Sequence, residues 1–301
     1  MAGSGGGCRR DRIPLPGATD APYSGAMTVR TADRDAAPPP LERPLRAPRR
    51  HRRRILSWLL ATYALATVAY VLLPSGLGQS ATAMGLPMPG MPLWQLALAN
   101  FGLVAVLYGL LAFAGDWLAG RAGLPGALRR GASIAAWGWR PLATGAAAGI
   151  VLVVLDRLTA ALTPFAGFPH PPFPSSLLAS LTAGIGEEIA FRLFVLSLWA
   201  ALFTAILHRA GRPGLRPAAL WVANALAALA FAAGHLGSAT ALASAPSPAA
   251  LPAAELAELV LLNGGLGLLA GRAFIRDGLP AAVGIHFWAD IVWHVLFPLL
   301  A

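Results

Sequence analysis

The stretch that decides the fold is LTAGIGEEIAFRLFVLS, residues 181–197, in which three charged residues interrupt an apolar run. Ionisable side chains are costly inside a bilayer, and where they occur they face a bundle interior or a water-filled cavity. Glu188 and Arg192 are four residues apart, so they can pair on one face of a helix. Glu187 lies about 100° away around the helix. The stretch therefore predicts a membrane-spanning helix with one paired carboxylate and one carboxylate free to act as a general base.

The composition indicates a polytopic membrane protein. Of the 301 residues, 56% are hydrophobic and only 12% are charged, with a mean hydropathy of +0.62, whereas soluble domains carry about 25% charged residues. All 23 basic residues are Arg, and together with abundant Ala, Gly and Pro this favours a GC-rich bacterial genome. The single Cys8 excludes an internal disulfide and a cysteine metal cluster.

Residues 1–54 are rich in Gly, Pro and Arg and carry few large apolar side chains. Such a segment cannot bury enough surface to fold by itself. We predict a disordered cytoplasmic tail that ends in a polybasic anchor for anionic lipid. The rest of the chain, 55–301, is predicted to be the transmembrane bundle.

Seven apolar segments follow the tail, and each is close to the length of about 20 residues that a membrane-spanning helix needs. The chain is therefore expected to be all-α, a polytopic bundle of about seven transmembrane helices. The sixth segment is short and Gly-rich. The predicted spans are roughly 55–73, 93–114, 141–162, 176–200, 218–236, 256–271 and 279–300.

The loops between these spans alternate between basic and uncharged. Such alternation follows the positive-inside rule for seven helices with the N-terminus in the cytoplasm and the C-terminus outside. It also explains the net charge of +10 by membrane topology, so the lipid bilayer is an expected partner and nucleic acid is not. The loop arginines are Arg121, Arg129, Arg130, Arg140, Arg209, Arg212, Arg216, Arg272 and Arg276.

Two more spans carry polar residues one helical turn apart. Phe231 and His235 share a face of the fifth span, and His286 and Asp290 share a face of the seventh. With these boundaries His235 lies near the outer end of its helix, while His286 lies about 12 Å from the inner end of its own. The remaining polar residues of the spans are interpreted as packing or helix–helix hydrogen bonding: Asn224, Asn263, His294 and the Asp156–Arg157 pair.

Three motifs in this order, on successive helices, resemble the motif set of the CPBP family of intramembrane endopeptidases. That family includes CAAX prenyl proteases and bacteriocin-processing or immunity proteins. The resemblance covers about 137–300 and leaves out the tail and the first two helices. The motifs are Glu187-Glu188-x-x-x-Arg192, Phe231-x-x-x-His235 and His286-x-x-x-Asp290.

The resemblance implies a catalytic role for six of these residues. Glu187 would activate water with the help of His235, and Arg192 would fix Glu188. His286 and the residue at position 290 would stabilise the oxyanion of the tetrahedral intermediate. Better-known members have Asn at that position, and an ionised Asp290 cannot donate a hydrogen bond. Asp290 could instead orient His286 or bind a cation.

Two mechanisms and two classes of function stay open at this point. No cofactor is expected with glutamate-activated water; the alternative is a divalent cation such as zinc, held by Glu187, His235, His286 and Asp290. The absence of an HExxH motif favours the glutamate. The expected function is hydrolysis of a peptide bond in a membrane-anchored protein or peptide, at the inner (cytoplasmic) membrane. The alternative is a non-catalytic family member, such as a bacteriocin self-immunity factor or a membrane scaffold. A proton-coupled transporter is a weaker third reading, because no inverted halves are visible.

The alternating loops make a testable prediction about topology. Compartment-sensitive reporters fused within successive loops should alternate between cytoplasm and exterior, because Arg-rich loops are retained inside. A reporter at the C-terminus should report the exterior. A cytoplasmic C-terminus would mean that one of the seven segments does not cross the bilayer.

Overall fold

A computed structural model describes residues 45–79, 90–162 and 168–300 of the chain. These residues are almost entirely helical, and no β-strand occurs among them. The predicted all-α class is therefore confirmed. Most of the predicted tail, residues 1–44, lies outside the described residues.

Seven helices in the described part of the chain are long and apolar enough to cross a membrane, which confirms the predicted number. They are α1 (Arg49–Leu72), α2 (Leu93–Arg121), α3 (Ile134–Leu162), α4 (Ser175–Arg209), α5 (Pro213–Leu242), α6 (Ala253–Asp277) and α7 (Leu279–Leu300). The chain is a multi-pass membrane protein.

Several helices extend beyond the apolar segments that predict them. Helix α1 begins at Arg49 rather than Ile55, so the predicted boundary of the tail at residue 54 falls inside this helix. Helices α2 and α4 continue to Arg121 and Arg209. Arginine has a high helix propensity, and its long side chain keeps the charge in water while its stem covers apolar surface. The apolar pattern therefore ends before the helix does.

Close packing of α3 against α7 positions the last helix. Gly145 and Gly149 lie one turn apart on α3, and at each of them an added Cβ would collide with the backbone of α7. At Gly149 the added Cβ would lie 2.6 Å from the carbonyl oxygen of Ala289. Small residues at this spacing let two membrane helices approach closely. The contact fixes the part of α7 that carries His286 and Asp290.

Four of the seven helices contain π-helical turns, at Val104–Tyr108, Glu188–Leu196, Val260–Gly264 and Ile291–Leu296. A π-helical turn rotates the residues that follow it relative to a regular α-helix, and such turns occur often at functional sites. The turns in α4, α6 and α7 lie next to or within the residues of the candidate site.

Helix α5 is interrupted at His235. The first helical part ends at Gly234, His235 adopts φ −90° and ψ −4°, and a second part runs over Leu236–Leu242. The sequence prediction that His235 lies near the end of its helix holds for the first helical part, which ends one residue before it. Seven further helical residues follow His235. Their small and hydroxylated side chains interrupt the apolar pattern, so the sequence does not show that the helix continues.

Candidate active site

A cavity of about 200 Å³ lies among α3, α4, α5, α6 and α7. Its wall includes four of the six predicted site residues: Glu187, His235, His286 and Asp290. The other two, Glu188 and Arg192, lie behind this wall and are fully buried. The three motifs, which are far apart in sequence, are thus brought together around one space.

The Glu188 carboxylate joins α4 to α7. Its Oε1 lies 2.9 Å from Nη1 of Arg192, one turn along the same helix. The same oxygen accepts a hydrogen bond of 2.8 Å from Nδ1 of His286, 98 residues away in sequence. The intrahelical pair is the one that the spacing predicts, whereas the bond to His286 is not visible in the sequence. Glu188 therefore holds the position of a histidine rather than facing the cavity itself.

Phe231 is the packing centre of the site. Its side chain is fully buried, and the Arg192 guanidinium lies 4.3 Å from the centre of its ring. The ring also meets His235 and His286 edge to face, with centroid distances of 4.9 and 5.6 Å. A cation on an aromatic face is stabilised by the ring quadrupole. Phe231 thereby compensates part of the buried Arg192 charge and fixes both imidazole rings.

His235 presents one ring nitrogen to Glu187. Its Nδ1 is 2.9 Å from the carbonyl oxygen of Phe231, which can only accept, so Nδ1 carries the proton. In the neutral ring Nε2 is then the free acceptor, and it lies 4.0 Å from Oε1 of Glu187. That gap is longer than a direct hydrogen bond. Both side chains are about one-third exposed, so a water molecule can reach them.

His286 presents its Nε2 to two carboxylates. One oxygen of Glu187 and one oxygen of Asp290 each lie 3.6 Å from this nitrogen. Because Nδ1 donates to Glu188, a second proton on Nε2 would face both remaining carboxylates. Asp290 is itself buried, with a relative exposure of 5%. His286 is thus arranged to donate from Nε2 into the cavity when it is protonated.

The charges of the site nearly balance. Glu187, Glu188 and Asp290 can contribute three negative charges, and Arg192 with a protonated His286 contributes two positive charges. The surplus of one negative charge falls on the side of the cavity, because Glu188 and Arg192 neutralise each other behind its wall. A surplus carboxylate in an accessible cavity is the group that can accept a proton from water.

Some cavity residues are not among the predicted site residues. Asn263 and Trp293 both line the cavity. Asn263 donates from Nδ2 to the carbonyl of Leu259, so the predicted bond to another helix is not the one it makes. Trp293 has a buried Nε1 with no hydrogen-bond partner among the described residues. Both lie in π-helical turns, and such turns leave no periodic signal in sequence.

Helix α1 also contributes, although it lies outside the motif region. Tyr63 packs against α4 at Gly186, where an added Cβ would lie 2.6 Å from the tyrosine oxygen. Gly186 directly precedes Glu187. The ring of Tyr63 therefore supports the turn of α4 that carries the free carboxylate.

The other polar residues of the spans differ in how well they match their interpretation. Asn224 bonds to the carbonyl of Leu268 on α6, which is the helix–helix contact expected of it. Asp156 instead pairs with its neighbour Arg157 and accepts from the backbone of Phe168. Both contacts of Asp156 are local, because Arg157 is the next residue and Phe168 lies in the connection that follows α3.

His294 lines the cavity and pairs with a histidine of the α3–α4 connection. Its Nδ1 lies 3.0 Å from Nδ1 of His170. Burial lowers the pKa of His170 below its ordinary value, and the nearby Arg157 adds to the effect while Asp156 opposes it. A neutral His170 can share one proton with His294, so the pair joins α7 to the α3–α4 connection beside the cavity.

A divalent cation is the alternative to water activated by the glutamate alone. In the part of the chain that the structure describes, no three His, Cys, Asp or Glu side chains form a group that could hold a metal ion. The divalent cation is thus an alternative that the chelation experiment below addresses.

A groove of about 780 Å³ between α3 and α6 leads toward the cavity. It is lined by apolar and small residues, and three residues, Leu152, Leu262 and Leu266, line both the groove and the cavity. The outer residues Val151, Leu261 and Leu269 are exposed. In a membrane, this surface would meet lipid.

Comparison with known protein families gives a match to part of the chain. The sequence model of the family described as type II CAAX prenyl endopeptidase Rce1-like matches residues 169–292. No curated protein and no solved structure matches the chain. The match is narrower than the range of about 137–300 in the sequence resemblance, but it contains all six predicted site residues and confirms that resemblance.

The geometry makes different predictions for the two adjacent glutamates. Glu188→Gln should lower the free energy of unfolding by about 3 kcal/mol, because it leaves Arg192 as an uncompensated buried charge. Glu187→Gln should change it by less than about 1 kcal/mol, because Glu187 is partly exposed and makes no short ion pair. Thermal or denaturant unfolding of the two purified variants measures the difference. Equal stability of the two would contradict the structural role of Glu188.

Proposed function

We propose that the protein is an intramembrane endopeptidase that uses water activated by Glu187. Residues 169–292 support this proposal, because they match the sequence model of the type II CAAX prenyl endopeptidase Rce1-like family. The observation that carries the proposal is the position of the Glu187 carboxylate, which faces Nε2 of both His235 and His286 in one cavity. A carboxylate between two imidazole rings can receive a proton while both rings take part in hydrogen bonding.

The first step is attack of water on the scissile carbonyl. Water lies between Glu187 and Nε2 of His235, and Glu187 accepts one proton as the water oxygen bonds to the carbonyl carbon. The carbonyl oxygen becomes an oxyanion, which accepts a hydrogen bond from protonated Nε2 of His286. A preorganised donor of this kind contributes about 3 kcal/mol to transition-state stabilisation.

The second step is collapse of the tetrahedral intermediate. The oxyanion re-forms the carbonyl, the C–N bond breaks, and the amine nitrogen takes the proton from Glu187. The products are a new carboxyl terminus and a new amino terminus, and Glu187 returns to its starting charge. Asp290 takes no proton in this scheme. Its oxygen, 3.6 Å from Nε2 of His286, holds the imidazolium in the orientation that the oxyanion needs.

The substrate is a membrane-anchored protein or peptide in the cytoplasmic membrane. The apolar groove between α3 and α6 supports this class, because it shares three residues with the cavity and opens on the surface that meets lipid. A chain bound in the membrane can slide along this groove to the catalytic water without crossing the bundle. The predicted cytoplasmic side of the Arg-rich loops is consistent with this location.

The test of this proposal compares new protein termini in membranes of cells that express the wild type or Glu187→Gln. Mass spectrometry of labelled termini should find cleavage products that depend on the wild type and disappear in the variant. Glu255→Gln is the matched control, since it removes the same charge from α6 at a residue that does not line the cavity. Products that persist in Glu187→Gln would overturn the proposal.

A second prediction separates glutamate-activated water from metal-activated water. If Glu187 alone activates water, prolonged treatment with a chelator should not reduce formation of the cleavage products found in the first test. Elemental analysis of the purified protein should then find no stoichiometric metal. Asp290→Asn should retain or raise activity, because the amide oxygen can still accept from Nε2 of His286 while the amide nitrogen adds a hydrogen-bond donor for the oxyanion. If Asp290 is a metal ligand, the same substitution should abolish activity, and excess metal should restore it.

A further inference from the structure

A second cavity lies at the arginine-rich end of the bundle, between the start of α1 and the end of α2. Its volume is about 630 Å³, and it shares no lining residue with the active-site cavity. Five arginines and one aspartate line it together with two aromatic residues and a glycine. These are Arg46, Arg49, Arg52, Arg53, Arg121, Asp116, Phe113, Trp117 and Gly120.

Asp116 is fully occupied and forms the base of this pocket. Its carboxylate lies 2.6 Å from Arg46 and 3.1 Å from Arg52, and it also accepts a hydrogen bond from the backbone N–H of Ala127. Gly120 leaves the room that the Arg46 guanidinium needs against α2. Two of the five arginines are therefore built into the protein as a scaffold around one carboxylate.

The other three arginines remain free to bind an anion. Arg49, Arg53 and Arg121 are exposed, and none of them pairs with a carboxylate among the described residues. The Arg121 guanidinium lies 4.5 Å from the ring centre of Trp117, which orients it. With one carboxylate against five guanidinium groups, the pocket carries a large positive surplus, as a phosphate site requires.

The wall of the pocket changes from apolar to charged along α2. Phe113, Trp117 and Arg121 follow one another at four-residue spacing on one face, over a length of about 12 Å. Phe113 and Trp117 are 46% and 57% exposed. Tryptophan is typical of the interface between hydrocarbon and headgroups. A ligand that fits this wall has an acyl chain at Phe113, a glycerol backbone at Trp117 and a phosphate among the arginines.

We propose that this pocket binds the phosphate group of an anionic phospholipid in the leaflet that faces the Arg-rich loops. The ligand is a lipid rather than a free phosphate compound because the aromatic part of the wall continues from the arginines toward the hydrocarbon. The bound lipid bridges α1 and α2. It also supplies the counter-charge that Asp116 alone does not provide. The site does not depend on the proposed peptidase activity.

The experiment measures phospholipid retained by the purified full-length chain, by native mass spectrometry from detergent with phosphatidylglycerol or phosphatidylcholine added. The wild type should retain phosphatidylglycerol in preference to phosphatidylcholine. The double variant Arg49→Gln/Arg53→Gln should lose this retention by about tenfold or more, since each Arg near a phosphate contributes about 1 kcal/mol. The matched control is Arg50→Gln/Arg54→Gln, which removes the same charge from the same turns of α1 but from residues outside the pocket.

The two double variants distinguish binding in the pocket from electrostatic attraction to the whole surface. The two competitors distinguish a lipid from a soluble phosphate compound. Equal losses in the two double variants would overturn the pocket, because the surface charge alone would then explain retention. If glycerol 3-phosphate competes as effectively as a short-chain phosphatidylglycerol, the ligand is a soluble phosphate compound. That result would overturn the assignment of a lipid to the pocket. Phe113→Ala should weaken retention of the lipid without changing the binding of glycerol 3-phosphate, because it removes the pocket side chain assigned to the acyl chain. Wild-type unfolding temperatures in all variants exclude loss of fold as the cause.

Discussion

The Glu188 carboxylate is the constraint on which the rest of the site depends. It is fully buried together with Arg192, and its oxygen also accepts from His286 on another helix. A buried charge must be paired or it destabilises the fold by several kcal/mol. This requirement fixes the rotation of α4 and α7 relative to each other. Once that rotation is set, Glu187 and the Nε2 atom of His286 necessarily face the same space.

Phe231 packs against the charged pair and the two histidines and holds them in place. Its ring contacts the Arg192 guanidinium and both imidazole rings. A polar residue at this position would need its own partner in a dry interior, whereas the aromatic ring requires none. The site therefore combines a neutralised pair behind the cavity wall with a carboxylate, Glu187, that faces the cavity. Adjacent residues of one helix, Glu187 and Glu188, take different roles because only one of them faces the cavity.

The interior of the bundle and its arginine-rich end use arginine in different ways. At the site, Arg192 is buried and compensates one carboxylate. At the end of α1 and α2, only two arginines are engaged by Asp116, and the others project into an open pocket. The same side chain acts as a structural counter-ion in the interior and as an anion receptor at the interface. The difference follows from solvation, because a guanidinium at the interface keeps its water until a phosphate replaces it.

The sequence by itself determined the helical class, the seven spans and the pair formed by Glu188 and Arg192. Each of these follows from local physics: apolar length sets a span, and a four-residue spacing sets a shared face. The order of the motifs also identified Glu187, His235, His286 and Asp290 as candidate site residues. Only the tertiary structure decided that Glu188 holds His286, that α5 continues past His235, and that Asn263 and Trp293 line the cavity. Glu188, Asn263 and Trp293 lie in π-helical turns, and close glycine contacts between α3 and α7 position His286. Such contacts join residues far apart in the chain, and their register is set by packing rather than by periodicity.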